Sequence, residues 1–391
     1  MTGWSRVAPT AAPLPLAALA RGLAACARPA RGPRSLTGQL RDLFPHSDVV
    51  TYRLGRAALA EAIALARRAT GRDRVVLPAY TSFSVAAAAA AAGATVDLCD
   101  LDPATLTLDR AALGARVDSR TAAVVLGNLF GYPDPSADLG WLADLGVVLI
   151  DDAAQALGAI EGGRLVGGRG DLGILSFGRG KCVSTGQGGA LLVHSPALRD
   201  ALRAPASAGR TGLGAWIVAA SLGVSTDPRV FGLLSRLPGA RVGESWYEPE
   251  FDAGPAPKSV EGLGGYLAAA LERHTAARRR VASLWWDALA AVPGLSFVRA
   301  EAGATPAFLR FPVLAADERR RDDLVHTLAR RGFAYVRSFP HALGAIQAFR
   351  AHLACEIETP GADAISARVI ALPCHVGIRS RDTARAAAAL S

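Results

Sequence analysis

Lysine is almost absent from this 391-residue chain: Lys181 and Lys258 are the two among 43 basic residues, and arginine supplies the rest. A sequence that uses guanidinium wherever a positive charge suffices singles out its lysines for work arginine cannot do, namely reaction as a neutral primary amine. Cysteine is scarce as well. The five thiols, Cys26, Cys99, Cys182, Cys355 and Cys374, are odd in number and show no C-x-x-C or Cys/His ligand spacing. That argues against a disulfide framework and a metal site, and for reduced thiols in a cytoplasmic protein. Long apolar runs are missing too. None reaches the ~20 residues a spanning helix needs, and residues 215–224 fall well short of it. Arg21 and Arg28 interrupt the Ala/Pro-rich N-terminal stretch early, unlike a secretory signal. At 51% hydrophobic and 20% charged, the composition is that of a folded protein, not a disordered one.

A net charge of +9 invites a nucleic-acid reading, but the charge is spread along the chain. Its densest run, Ala277-Arg278-Arg279-Arg280, lies in a helical stretch beside Leu271, Leu284 and Trp285, with no recognisable nucleic-acid motif. The expectation there is a solvated helix face and no nucleic-acid partner. For residues 215–224 the expectation is a packed helix or dimer contact, with a membrane-surface patch as the lesser alternative.

The chain divides into three stretches. Residues 1–45 are rich in Ala, Pro and Arg and predict a loosely ordered arm. Over residues 46–262, strand-like and helix-like patterns alternate. Helices are predicted at 57–69, 85–92 (closed by Gly93) and 138–145, and strands at 75–78, 94–99, 122–126, 147–150, 174–177 and 190–193. Strands without polar faces, alternating with helices, imply a large α/β domain on a mostly parallel sheet covered on both sides. Residues 205–262 interrupt that rhythm. Residues 263–391 open on a helical stretch running from 262 to 291. With strand-like 308–313 and 369–372 and helical 322–331, they predict a smaller α+β domain.

Several motifs carry chemistry or imitate it. Gly168-Arg169-Gly170-Asp171-Leu172-Gly173 fits G-x-G-x-x-G, but a strand follows it where a helix is required, so it predicts a turn. Gly180-Lys181 resembles the end of a phosphate-binding loop, yet Leu175 stands at the leading glycine and Cys182 replaces Ser/Thr. Asp151-Asp152 ends a buried strand, where open α/β sheets place ligands. A metal ligand, a helix cap and a cofactor partner are all compatible with it, and Gln155 three residues on suits the cap equally well. Ser176-Phe177-Gly178-Arg179-Gly180-Lys181, followed by Gly186-Gln187-Gly188-Gly189, sets a lysine among glycines after a strand. It reads either as a surface loop or as a desolvated amine able to attack a carbonyl.

Taken in order, Gly55-Arg56-Ala57, Pro78-Ala79-Tyr80-Thr81, Asp152-Ala153-Ala154-Gln155 and Ser176 with Lys181 resemble the DegT/DnrJ family of pyridoxal-phosphate sugar aminotransferases. The likeness is strongest over residues 50–200. It returns weakly in Arg331-Gly332-Phe333 and Leu372-Pro373-Cys374-His375-Val376-Gly377. The resemblance implies the fold type I, aspartate aminotransferase-like architecture and usually a homodimer. It makes Lys181 the Schiff-base lysine and proton carrier, and sets Asp152 on the pyridine nitrogen of pyridoxal phosphate. Gln155 would lie along the ring, with Ser176 and the backbone of Gly55, Arg56 and Ala57 on the phosphate. The implied reaction moves an amino group from an amino acid, glutamate by family habit, to the keto group of a nucleotide-linked sugar bound for a polysaccharide or natural product. A lysine at 181 speaks against the family's dehydratase branch.

The sequence also departs from the family pattern. Arg56 replaces the usual Thr or Ser. Ser82 stands where a ring-stacking aromatic is expected, leaving Tyr80 or Phe83 to serve. Asn128 replaces a histidine, and the asparagine usually lent to the partner's phosphate site is not evident near residues 255–259. The competing readings are an aminotransferase for a non-sugar ketone or aldehyde, and a non-catalytic membrane-surface or binding protein with a vestigial cofactor site.

Overall fold

Every residue of the strand Thr121–Leu126 is buried, and alternate side chains enter different cores: Ala123 and Val125 on one face, Val124 and Leu126 on the other. A strand packed on both faces needs apolar residues at successive positions, which is why the sequence shows unbroken runs. The computed structural model describes residues 6–10, 19–20, 24, 34–203, 227–234, 246–334 and 338–390.

In chain order the strands are β1 (Asp48–Tyr52), β2 (Arg74–Pro78), β3 (Thr95–Cys99), β4 (Thr121–Leu126), β5 (Val148–Asp152), β6 (Ile160–Glu161), β7 (Arg164–Leu165), β8 (Leu172–Ser176), β9 (Gly189–Val193), β10 (Leu295–Phe297), β11 (Ala304–Thr305), β12 (Arg310–Ala315) and β13 (Val369–Pro373). The helices are α1 (Leu36–Leu43), α2 (Gly55–Thr70), α3 (Phe83–Ala91), α4 (Arg110–Arg116), α5 (Trp141–Asp144), α6 (Pro228–Leu234), α7 (Lys258–Ala268), α8 (Leu271–Leu289), α9 (Glu318–Arg330), α10 (Pro360–Arg368) and α11 (Ser380–Leu390).

Seven strands form the main sheet in the order β1-β9-β8-β5-β4-β2-β3. Neighbours from β8 to β3 are parallel, and β9 runs antiparallel to β8 and β1. One face is covered by α2 and α3, whose small residues Ala58, Ala62, Ala66, Ala86 and Ala89 are buried in the shared core. Gly93, at φ +64, follows α3 in the left-handed conformation that stops a helix. The opposite face is covered by α1 and α7. Leu36, Leu40, Val260 and Leu263 pack there on Leu175 and Leu192, each buried leucine contributing about 1.5–3 kcal/mol. The two helices meet at Gly265, whose hydrogen lies against the Arg34 carbonyl and the Leu36 amide where no side chain would fit.

The second unit is a three-stranded antiparallel sheet, β10-β12-β13, packed on α8, α9 and α11. Trp285 is its largest fully buried side chain, and its Nε1 donates to Pro373 O at 2.8 Å.

Three expectations change. The helix predicted from 262 to 291 is two helices broken at Ala269 and Ala270, and α7 belongs with the main sheet. The stretch expected as a loose arm contributes two built-in pieces. One is α1. The other is residues 6–8: Val7 sits in the small unit's core, its N–H donates to Gly332 O at 2.7 Å, and Ala8 O meets His375 Nε2 at 3.0 Å. The arginine run is a solvated face only at Arg280, which is exposed: Arg278 is buried and donates to Leu309 O and Cys374 O, and Arg279 donates to Pro306 O and Gly158 O. Among the described residues, no helix is long and apolar enough to cross a membrane. Residues 215–224 and Cys26 lie outside them.

Candidate active site

At the C-terminal ends of β5 and β8, where the parallel strands stop, a cleft of about 280 Å³ opens. Lys181, Asp152, Gln155, Ser176, Gly55 and Arg56 all line it. These residues come from separate elements: the end of β5 and its following turn, the end of β8, the start of α2, and the β8–β9 loop. A larger hollow of about 520 Å³, on the outer side of α2, is lined mainly by alanines with Glu61 and Arg203 and holds no lysine.

The loop bearing Lys181 is a tight glycine structure. Gly178 bridges to Gly186, Ser184 Oγ donates to Gly178 O at 2.9 Å, and Lys181 N donates to Gly178 O at 3.3 Å. Gly180 needs to be glycine twice over: its φ is +75, and the Thr10 side chain fills the space a Cβ would take. Desolvation lowers the Lys181 pKa, with Arg310 acting in the same sense and Asp152 opposing. The amine is therefore easier to have neutral than a surface lysine's.

Asp152 is 6% exposed, and its Oδ1 accepts from Ala154 N at 2.9 Å. Burial pushes its carboxyl up to about 6, against the pull of the Ala154 N–H and of Lys181. The native protein then holds a proton that the unfolded chain releases near 4. This group's contribution to stability is full below about pH 4 and lost as pH rises to about 6, by about 3 kcal/mol. Asp152→Asn in cofactor-free protein should accordingly melt higher than the wild type at pH 8 and level with it at pH 4. A variant melting lower at pH 8 would mean that a structural cation, not a ligand, is the carboxylate's partner.

The other end of the cleft suits an anion. Helix α2 begins there with no side-chain cap, since its N-cap is Leu54. Its first amides and the helix dipole face the cleft at Gly55 and Arg56. A methyl group on Gly55 would lie 2.7 Å from Ser176 Cβ and 2.8 Å from its Oγ, so only glycine lets α2 come this close to β8. Arg56 Nη1 is 3.3 Å from Glu248 Oε2, and its guanidinium lies over Phe251 at 5.6 Å.

Two predicted residues lie elsewhere. Ala57 is buried, its N–H donates to Leu54 O at 3.2 Å, and it does not line the cleft. Tyr80 is fully buried, with its hydroxyl donating to Phe339 O at 3.2 Å and its ring edge-on to Phe339. Phe83 is also buried, stacked on His341 at 5.0 Å. The cleft wall here is formed instead by Thr81, Ser82, Ser84 and Val85.

Behind Asp152 lies a network that the sequence reading missed. Asp151, fully buried, is gripped by Arg169, with Nη2 to Oδ1 at 2.6 Å and Nε to Oδ2 at 2.9 Å. Burial alone would raise the Asp151 pKa, but Arg169 and the surrounding donors bring it below its ordinary value. Arg169 also donates to Glu161 Oε2, Asp134 O and Asn128 Oδ1. Asn128, at φ +41, donates from Nδ2 to Asp151 Oδ1 and to Asp152 O, both at 2.9 Å. It therefore ties the backbone of the cleft carboxylate to the ion pair. Gln155 Oε1 is fixed by Phe130 N at 3.1 Å.

A model of the DegT/DnrJ/EryC1/StrS aminotransferase family matches residues 33–225 and 267–391. The chain is 33% identical over 184 residues to L-glutamine:2-deoxy-scyllo-inosose aminotransferase of Streptoalloteichus tenebrarius, a stretch covering 46% of this chain and 43% of that protein. It is 34% identical over 134 residues to GDP-perosamine synthase of Caulobacter vibrioides, covering 34% and 36% respectively. The matched stretches thus span less than half of either relative. Among solved structures, S. venezuelae DesV in complex with a ketimine intermediate is similar with a TM-score of 0.71 at 25% identity, covering 95% of this chain and 92% of that one. The α/β architecture with its mostly parallel sheet is thus the expected one, and the chain belongs to the DegT/DnrJ/EryC1/StrS aminotransferase family.

Proposed function

We propose that the protein is a pyridoxal-phosphate-dependent aminotransferase that moves an amino group from an amino acid to the keto group of a sugar or related cyclic polyol. The observation that carries this reading is the convergence of Lys181 and Asp152 on one cleft whose far end is an uncapped helix start.

The residues present fit the cofactor. An anion is accommodated where Gly55 closes on Ser176, and Ser176 Oγ and the first amides of α2 are the donors available for a phosphate. Asp152 is a buried carboxylate whose charged form, disfavoured by burial, gains from a cationic neighbour such as a protonated ring nitrogen. When bound, the cofactor supplies an electron-withdrawing ring that stabilises a carbanion next to the transferred nitrogen. Lys181 Nζ would hold the cofactor through its carbonyl carbon and, once freed by the donor's amine, would be the base that takes and returns the substrate proton. Asp152, ionised, would keep a proton on the cofactor's ring nitrogen. Gln155, locked by Phe130 N, would confine the ring from the side. Arg56 either joins the anion site or keeps its pairing with Glu248.

For the acceptor, the relatives' names support a hydroxylated cyclic ketone: an inosose in one case and a GDP-linked sugar in the other. A nucleotide-linked keto-sugar remains our first reading, and a homodimer working in the cytoplasm the accompanying one. The donor is glutamate or glutamine, the latter named in the first relative.

The test is chemical. Protein purified with pyridoxal phosphate should absorb in the visible, lose that absorbance when an amino donor is added, and after borohydride carry the cofactor's mass on the Lys181 peptide. Protein that takes up no cofactor, or is labelled elsewhere, overturns the reading.

A further inference from the structure

The loop that carries Lys181 is held unevenly. Its rear half is anchored: Cys182, Val183, Ser184 and Thr185 are buried, Thr185 N donates to Phe177 O at 2.9 Å, and Ser184 Oγ donates to Gly178 O at 2.9 Å. The front half, Gly178-Arg179-Gly180, has two glycines and an exposed arginine, so it has almost no side chain of its own to pack. Its remaining hydrogen bonds are long, from Gly178 N to Ser176 Oγ at 3.4 Å and from Lys181 N to Gly178 O at 3.3 Å. What meets Gly180 comes from the far end of the chain. A Cβ built on Gly180 would lie 2.9 Å from Thr10 Cβ and 3.1 Å from its Cγ2, with Thr10 Oγ1 nearer still. All three of the atoms nearest that point belong to Thr10.

Thr10 stands at the end of a short, stiff link. Val7 is bonded on both sides, its N–H to Gly332 O at 2.7 Å and its carbonyl to Ala334 N at 2.9 Å, with its side chain in the core of the small unit. One residue on, His375 is fixed at both ring nitrogens. Its Nδ1 accepts from Gly377 N at 3.2 Å, so Nε2 carries the proton and donates to Ala8 O at 3.0 Å. Burial holds the imidazole down to about 4, which keeps that neutral form in place at neutral pH. Pro9, itself buried, restricts Ala8 to extended backbone and sets its own φ near about −65°. Two bonded residues and a rigid third therefore decide where Thr10 stands, and Thr10 decides how far Gly180 can move.

We infer that Thr10 is a positioning residue for Lys181, bracing the glycine half of its loop so that the amine keeps one place through the proton transfer; the assignment rests on the aminotransferase reading. Thr10 does not line the cleft, so its action on the reaction passes through the loop. Glycine backbone without a brace is free to drift, and a base misplaced by about 1 Å can cost about 10²-fold in rate. The threonine acts by its bulk against Gly180. Valine, of the same shape, should replace it, and glycine should not.

Cofactor-loaded wild type, Thr10→Gly and Thr10→Val are mixed with L-glutamate or L-glutamine, whichever wild type accepts, carrying hydrogen or deuterium on the α-carbon. Loss of visible absorbance is followed in a single half-reaction. Thr10→Gly should slow the maximal rate by about 10–10²-fold and raise the deuterium effect, with the half-saturating donor concentration little changed. Thr10→Val should react like wild type. A second arm tests the contact itself. Gly180→Ala should be slow, because its methyl meets Thr10 and its backbone is left-handed. Adding Thr10→Gly should speed that variant, the reverse of what the same change does to wild type. A third arm needs no turnover: in cofactor-free Thr10→Gly, amide hydrogen exchange should quicken over residues 178–181 and stay unchanged in β5 and β8. An undiminished rate in Thr10→Gly, or losses that simply multiply in the double variant, overturns the assignment. So does a Thr10→Gly protein that fails to fold or exchanges faster throughout, since the threonine would then serve the fold at large. A wild type inert to both donors sinks the aminotransferase reading instead, while the exchange arm still judges the brace.

Discussion

Lys181→Ala lowers turnover by at least about 10⁴-fold, the upper range for a positioned general base, because two jobs disappear at once. In the proposed reaction the lysine is the covalent attachment point and also the group that carries the substrate proton. No other lysine replaces it: Lys258, the second in the chain, is the first residue of α7 and does not line the cleft. Arginine cannot substitute either, because a guanidinium stays protonated, and Lys181→Arg should be as inactive as the alanine variant. The structural cost is small, since the substitution removes a desolvated amine and leaves the glycine loop's own hydrogen bonds in place. Cofactor-free Lys181→Ala should melt within a few degrees of wild type. Added methylamine should return part of the proton-transfer rate, which a merely misfolded site would not allow. Stopped-flow spectra with an amino donor measure this, and activity within tenfold of wild type would remove Lys181 from its assigned role.

Arg169→Met should be the most destabilising single substitution at the site, by about 3–5 kcal/mol at pH 8. It leaves Asp151 and Glu161 as buried carboxylates without their shared cation. In the wild type the Asp151 pKa is depressed, so its contribution to stability is present above about pH 4 and lost as the pH falls through that range. In the variant the sign reverses. Burial, no longer opposed by Arg169, now raises the Asp151 carboxyl, stability falls as pH rises, and the deficit against wild type should shrink between pH 8 and pH 5. Urea denaturation at the two pH values reads this directly, and adding Asp151→Asn should recover part of the loss at pH 8. A deficit that does not change with pH would show that Arg169 acts by filling space and not by its charge.

The fold was legible where local pattern and packing agree. β4 reads as a strand because both of its faces are buried, and α3 ends where Gly93 permits the left-handed turn. The core of the site was legible for a different reason. Asp152 and Ser176 end strands, Gln155 and Lys181 follow them, and the ends of parallel strands meet at one edge of the sheet. What could not be read depends on partners distant in sequence. Tyr80 looks available for stacking, but Phe339, 259 residues on, takes its hydroxyl into the core. Arg169 looks like a turn residue in a glycine motif, and its acceptors come from three other segments. Arg278 belongs to a run that resembles a wet helix face, until Leu309 and Cys374 offer it their carbonyls. Ala57 has helix-start spacing like Gly55, but its amide has already turned back to Leu54.

Residues 6–8 and α1 also set the timing of folding. Leu36 and Leu40 are covered by α7, and Thr37 takes Glu261 as its hydrogen-bond partner across 224 positions. Ala8 O waits for His375, 367 positions away. At roughly 5–20 residues per second of synthesis, about 10–45 s separate the emergence of α1 from that of its cover. During that interval one apolar face of the nascent sheet has only α1 to bury against. A chain closed by such distant contacts folds late and slowly.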